Sequence, residues 1–290
     1  MRVMSLMEVY FECEKEVVTF CENLFRYNKQ IELNWKIHEE WGNQLQFIEQ
    51  AINHDTVQSM AKAMADVFIE HRLANWLKTI IKEKYYYTDE DEIDRILELT
   101  YWIYQEADLH TPYFKNIPSP SKLLQHLFMK NTDQVTTIHF DSIVQFRLQS
   151  FKNILIEFVG LAIDEFKQEE DHQAFVDMLR KYIAKKESNH KEIHVLQGKD
   201  FTFFNENGKK FSNIELRRMI HEEPLYIVGL DVEELNLAPL IAIAPKKITI
   251  YGDNPSEPKT LTVINVFQER VVFEPSHRFP FPHALGRNNS

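Results

Sequence analysis

A chain of 290 residues with 44% apolar side chains has room for a sizeable core in one large or two ordinary domains, and its scarcity of glycine, 7 residues, disfavours glycine-rich nucleotide cradles. A formal charge of −11 disfavours broad binding to nucleic acid or to an anionic membrane. The acidity is concentrated in residues 1–179, with 17 Lys/Arg against 30 Asp/Glu, whereas residues 180–290 are close to balanced.

No apolar run approaches the roughly eighteen residues that a membrane-spanning helix needs. The opening "MRVMSLMEVYF" is interrupted by Glu8 and followed by no small-residue cleavage site, so a soluble cytoplasmic protein is the expectation. Cys13 and Cys21 have neither metal nor thioredoxin spacing and read as two structural thiols in a reducing compartment.

In chain order, "MSLMEVYF" (4–11) reads as a strand and 14–27 as an amphipathic helix, with Val17, Val18, Cys21, Leu24 and Phe25 at helical spacing. "IELNWKI" and "NQLQFIEQ" alternate and form a hairpin turning at Gly42-Asn43, with Ile31, Leu33, Trp35 and Ile37 on one face. From about 53 the period becomes helical. One stripe runs from Val57 to Ile81 behind Asp55 as N-cap, and a second from Ile93 to Tyr104 behind Thr88 or Asp89. Residues 111–122, with three prolines, are a loop, and "SKLLQHLFMKN" is a short helix.

The longest pattern, 141–167, steps by three or four through Val144, Leu148, Phe151, Leu155, Phe158, Ala162 and Phe166, capped by Asp141 or Ser142. Residues 169–186 repeat it as a further helix. After 187 the period returns to two: "EIHVLQG" and "FTFFNENG" make a hairpin. "SNIELRRMIHEE" is a helix with a capping box between Ser212 and Glu215. "DVEELNLAPLIAIA" is a helix kinked at Pro239. "KITIYG", "PKTLTVINVFQE" and "RVVFE" form a βαβ unit with parallel strands.

The expected class is α+β: a small N-terminal α/β piece (1–52), a central helical bundle (53–187), a C-terminal α/β domain with the βαβ unit (188–275) and a disordered tail (276–290). Whether the N- and C-terminal strands share one sheet is left open.

Few residues promise chemistry. Gly252-Asp253 ends a strand before a helix, where open α/β sheets place ligands, but no further glycines follow at phosphate-loop spacing and Asp253 and Glu257 would repel an anion; a turn is the better reading. The pairs Glu169/His172 and Glu187/His190 have di-metal spacing but lie in charged stretches off the apolar stripe. His139-Phe140-Asp141 has the H-x-D form of an iron site without an identifiable second histidine, and Asp141 is already needed as a cap. No nucleophile, metal set or cofactor motif emerges, so no catalytic, cofactor-binding or metal-binding residue is assigned and no cofactor is expected. Residues 180–218 carry ten Lys/Arg against five Asp/Glu beside "FTFF"; Lys209, Lys210, Arg217 and Arg218 would contact nucleic acid if this strip were a binding face, an alternative weighed against packing of the phenylalanines under helices.

The segments "HFDSIVQFRLQSF", "LAIDEFKQEEDHQAFVDMLRKYIAKKES", "EIHVL", "FTFFNENGK", "LIAIAPKKITIYGD" and "VINVFQERVVF", in that order, resemble the YtxC-like family, associated with sporulation in endospore-forming bacteria. "WLKTIIKEKYYYTDEDEIDRILE" agrees more loosely, so the resemblance covers most of 55–275. It implies a sporulation-associated cytoplasmic protein and carries over no mechanism and no site residue. The function expected is a non-enzymatic regulatory or interaction role with a protein partner; the nucleic-acid reading is the alternative, and an enzyme with an unrecognised site the third. Within the best-matching segment, Arg147 borders the apolar stripe four residues before Phe151. Its guanidinium either reaches water along the core or pairs with an acidic side chain of another segment, and the surplus of acids favours a structural ion pair.

Overall fold

The computed structural model describes residues 7–47, 54–112, 114–115, 117–132, 135–187, 190–230 and 233–284. The chain has two compact units, Met1–Lys167 and Gln168–Ser290, each with a four-stranded mixed sheet and helices, and the class is α+β. The N- and C-terminal strands belong to separate sheets. The unit boundary follows packing rather than the changes of period at 52/53 and 187/188, the first of which lies outside the described residues. Among the described residues no helix is long and apolar enough to cross a membrane.

The first unit opens with β1 (Met7–Phe11), α1 (Glu14–Tyr27) and a hairpin of β2 (Leu33–His38) and β3 (Gly42–Phe47). With β4 (Thr137–His139) the strand order is β2-β3-β1-β4; β1 runs parallel to β4 and antiparallel to β3. Strand alternation gives this sheet two unlike faces. Val9, Phe11, Leu45, Phe47 and Ile138 bury against the helices, while Glu8, Tyr10, Gln44, Gln46 and His139 share the other face. Val17, Phe20 and Leu24 of α1, one helical turn apart, are fully buried in the same core.

The hairpin turns earlier than Gly42-Asn43. The loop is Glu39–Trp41, and Gly42 already pairs with His38 at φ 76°, where an added Cβ would lie 2.9 Å from the Phe11 carbonyl oxygen. Leu33, Trp35 and Ile37 do share one side of the sheet; Ile31 is buried and Leu33 packs on the core, whereas Trp35 is 42% and Ile37 85% exposed, because β2 is the edge strand. Residues 4–6 and 48–50 of the expected strands lie outside the described residues.

The helices are α2 (His54–His71), α3 (Leu73–Tyr85), α4 (Glu90–Asp108), α5 (Pro120–Thr132), α6 (Phe140–Arg147) and α7 (Gln149–Ala184). The stripe from Val57 to Ile81 is one face of two helices, broken at Arg72, and Asp55 lies inside the first turn of α2 rather than capping it. Asp89 does cap α4, accepting from the N–H groups of Asp91 and Glu92 at 2.9 and 3.1 Å. The expected helix 141–167 is interrupted at Leu148. Its second part then continues without a break through the segment expected to be a further helix. Residues 167–174 of α7 are all exposed, so the stripe vanishes for two turns while the backbone stays helical. The unit boundary falls in this stretch.

The second unit contains β5 (Glu192–Leu196), β6 (Thr202–Asn205), α8 (Asn213–His221), α9 (Ala238–Ile243), β7 (Lys247–Gly252), α10 (Pro258–Phe267) and β8 (Val271–Pro275). The order is β6-β5-β7-β8, with β5 and β6 antiparallel and β7 parallel to both β5 and β8, as the βαβ reading requires. Ser212 and Glu215 form the capping box on α8. Pro239 stands at the start of a six-residue α9 instead of kinking a longer helix, since the first turn needs no proline N–H; residues 231 and 232 of the expected helix lie outside the described residues. The tail was expected to be disordered from 276. It is described through 284, and Phe279 is buried against Phe204 and Tyr251, with ring centroids 4.9 and 5.3 Å apart. Residues 285–290 lie outside the described residues.

Candidate functional site

The junction of β4 and α6, residues 139–147, is the chemically richest part of the first unit. An ion cluster built around one buried carboxylate anchors it. Glu16 on α1 is 2% exposed and receives a two-pronged grip from Arg72, whose Nε and Nη2 both donate to its carboxylate, the latter at 2.8 Å. The same Nη2 reaches Asp141 Oδ1 at 2.7 Å, and Asp141 Oδ2 accepts the backbone N–H of Glu12 at 3.1 Å. The hydrogen bond to Glu16 raises the Arg72 pKa further and outweighs burial. Asp141 is thus a tie between α6, the end of β1 and the α2–α3 junction. It is neither the expected helix cap nor a carboxylate free for the H-x-D reading.

On the polar sheet face, Glu8 is a hub. Tyr10 donates its hydroxyl to Glu8 Oε2 at 2.8 Å, Gln46 donates to Oε1 at 3.0 Å, and Gln44 donates to the Tyr10 oxygen at 2.8 Å. Burial pushes the Glu8 carboxyl up, but these donors prevail and hold it below its ordinary range. Burial, then the bond to Glu8, raises the Tyr10 phenol, so it stays a donor. The rings of Tyr10 and His139 stack at 4.8 Å, Trp41 approaches His139 at 4.1 Å, and His38 meets Tyr10 edge-on at 5.8 Å. Burial lowers the His139 pKa, which favours the neutral imidazole.

Against these rings opens a cleft of about 340 Å³ lined by Tyr10, Glu12, Glu40, Trp41, His139, Asp141 and Ser142. Trp41 Nε1 donates to Glu40 at 3.0 Å, fixing a carboxylate at the rim. Aromatic faces beside carboxylates suit a cationic group. On the other side of the same junction lies a cleft of about 460 Å³. Its walls include Val135, Ile138, Ile143 and Phe146, and its basic groups are Lys130 and Arg147. Phe146 is 67% exposed. His139 and Ser142 line both clefts.

Arg147 is exposed at the last turn of α6 and makes no ion pair among the described residues; the buried arginine–carboxylate contact of this unit belongs to Arg72. In the second unit, Lys209 pairs with Glu215 at 3.1 Å, Arg217 with Glu233 at 2.7 Å and Arg218 with Glu222 at 3.5 Å, while Lys210 is exposed. Phe201, Phe203 and Phe204 are buried and offer no stacking platform. Glu169 and His172 are both exposed on α7, and no group of three His, Cys, Asp or Glu able to hold a metal occurs among the described residues. Cys13 is exposed, and burial pushes the Cys21 thiol up to about 11.

The edge beyond Gly252 is filled from within. Gln197 Oε1 accepts the N–H groups of Asp253 and Asn254, each at 3.1 Å, and its Nε2 donates to Asn254 O and Thr260 Oγ1, each at 2.7 Å. The amide therefore occupies the place a ligand would take.

Sequence reasoning singled out His139, Asp141 and Arg147 separately but not Tyr10, Glu40 and Trp41, which join them only through sheet pairing across more than ninety residues. The available signal was the polar alternation of Glu8 and Tyr10 opposite Gln46 and Gln44.

Fold and site define an α+β protein whose N-terminal sheet keeps one polar, aromatic face. The YtxC-like family matches residues 58–272, and the chain belongs to that family. It is 32% identical over 244 residues to "Uncharacterized protein YtxC" of Bacillus subtilis (strain 168), covering 78% of this chain and 82% of that protein. No solved structure matches the chain.

Proposed function

We propose that the chain is a cytoplasmic, sporulation-associated protein of an endospore-forming bacterium that acts without catalysis, by binding a protein partner at the β4–α6 junction. The observation that carries this reading is the meeting of two unlike clefts at His139 and Ser142, one acidic and aromatic, the other basic and apolar. A partner segment placing a lysine or arginine against Trp41, Glu12 and Glu40, and a carboxylate near Lys130 and Arg147, satisfies both. Family membership supports the cellular setting. The nucleic-acid alternative is weaker, because three of its four cations have carboxylate partners and its aromatics are buried.

The test is genetic. Chromosomal Glu12→Lys/Glu40→Lys and Lys130→Glu/Arg147→Glu variants, accumulating to normal level, should lower the yield of heat-resistant spores as a gene deletion does. Normal yield from both variants beside a defective deletion strain would remove the clefts from the account. Normal yield from the deletion strain itself would remove the sporulation role.

A further inference from the structure

The outer edge of β2 pairs with no strand among the described residues. Leu33–His38 contains no proline, glycine or bulge, so nothing within the strand itself blocks pairing with another strand. Leu33 and Trp35 stand opposite Phe47 and Leu45, on the core-facing side of the sheet, and Ile37 shares that side. Trp35 and Ile37 therefore carry the apolar face past the rim of the core into water.

We propose that this edge pairs with the same strand of a second copy, antiparallel about a twofold axis at Trp35, joining two sheets into one of eight strands. The sequence of β2 is self-complementary in this arrangement. With Trp35 opposite Trp35 of the second copy, Leu33 meets Ile37, so all three core-side residues gain apolar partners. On the polar side Lys36 meets Asn34, and Glu32 meets His38, with no like charges opposed. Moving the axis to Lys36 would set lysine against lysine. A one-residue slip would turn Trp35 and Ile37 toward polar side chains. The inference rests on residues outside both clefts and stands independently of the binding role proposed above.

Sedimentation velocity on the full chain tests it. The wild type should move, with rising micromolar concentration, from the 34.5 kDa of one chain to twice that mass. Ile37→Lys, with unchanged circular dichroism, should weaken association by about tenfold or more. Register is read on a Cys13→Ser/Cys21→Ser background, where Trp35→Cys should cross-link two copies under mild oxidation and Asn34→Cys should not. A wild type that stays monomeric, a dimer indifferent to Ile37→Lys, or dimers that cross-link through Asn34→Cys but not Trp35→Cys would each overturn the proposal.

Discussion

Arg72 holds Asp141 at 2.7 Å with the same nitrogen that grips Glu16, so three segments distant in sequence meet on one guanidinium. Removing it leaves the nearly inaccessible Glu16 carboxylate without a counter-charge. Arg72→Met should therefore lower stability in urea unfolding by about 3–5 kcal/mol. Arg147→Met, at an exposed position, should cost less than about 1 kcal/mol. Adding Glu16→Leu to Arg72→Met should recover part of the loss. Equal effects at positions 72 and 147 would contradict this assignment of the anchor.

Acid should destabilise the protein in two stages. Burial lowers the pKa values of His139 and His194. The unfolded chain thus binds protons that the folded chain refuses, and stability falls as pH drops from about 6.5 toward the lower folded values. Glu8, Glu192 and Glu223, all depressed on balance by hydrogen bonds that outweigh burial, contribute stability above their unfolded pKa that is lost at still lower pH. Denaturant midpoints between about pH 7 and 5 should decline in the wild type and decline less in His194→Asn/His139→Asn. A flat wild-type profile would contradict these burial effects.

Phe279 fixes the start of the tail by packing on Phe204 and Tyr251, and Phe281 lies where a side chain at Gly208 would sit. Phe279→Ala should cost about 3 kcal/mol, and limited proteolysis should then cut after Pro275 far faster. A change below about 0.5 kcal/mol would mean that the tail is not part of the second unit.

How much of this was legible in the sequence varies by element. Glu14–Tyr27 and the box at Ser212 and Glu215 were readable because their determinants are local: a stripe and a cap. The breaks at Arg72 and Leu148 were not, since both lie inside continuous apolar periods and no proline or glycine marks them. The three-residue β4 is too short to show a period and exists through pairing with β1. Phe279 is a lone aromatic in an aperiodic tail whose partners come from β6 and β7. The clefts stayed hidden for the same reason: Tyr10, Trp41 and His139 are neighbours only after β1 has joined β3 to β4.

Gln197 predicts a local effect without functional consequence. Gln197→Ala removes both acceptor bonds to the Asp253 and Asn254 amides. Hydrogen exchange at those two amides should accelerate while spore yield stays normal. Unchanged exchange would show that the turn is held by other contacts.

Site-specific photo-crosslinking in sporulating cells tests the central claim most directly. A photoreactive residue replacing Trp41, and separately one replacing Phe146, should capture the same protein, because the two positions line clefts that share His139 and Ser142. The capture should disappear when Glu12→Lys/Glu40→Lys or Lys130→Glu/Arg147→Glu is added. The same probe at Leu109, exposed and lining neither cleft, should capture nothing comparable. No adduct from Trp41 or Phe146, or identical adducts from Leu109, would contradict a binding site at the β4–α6 junction.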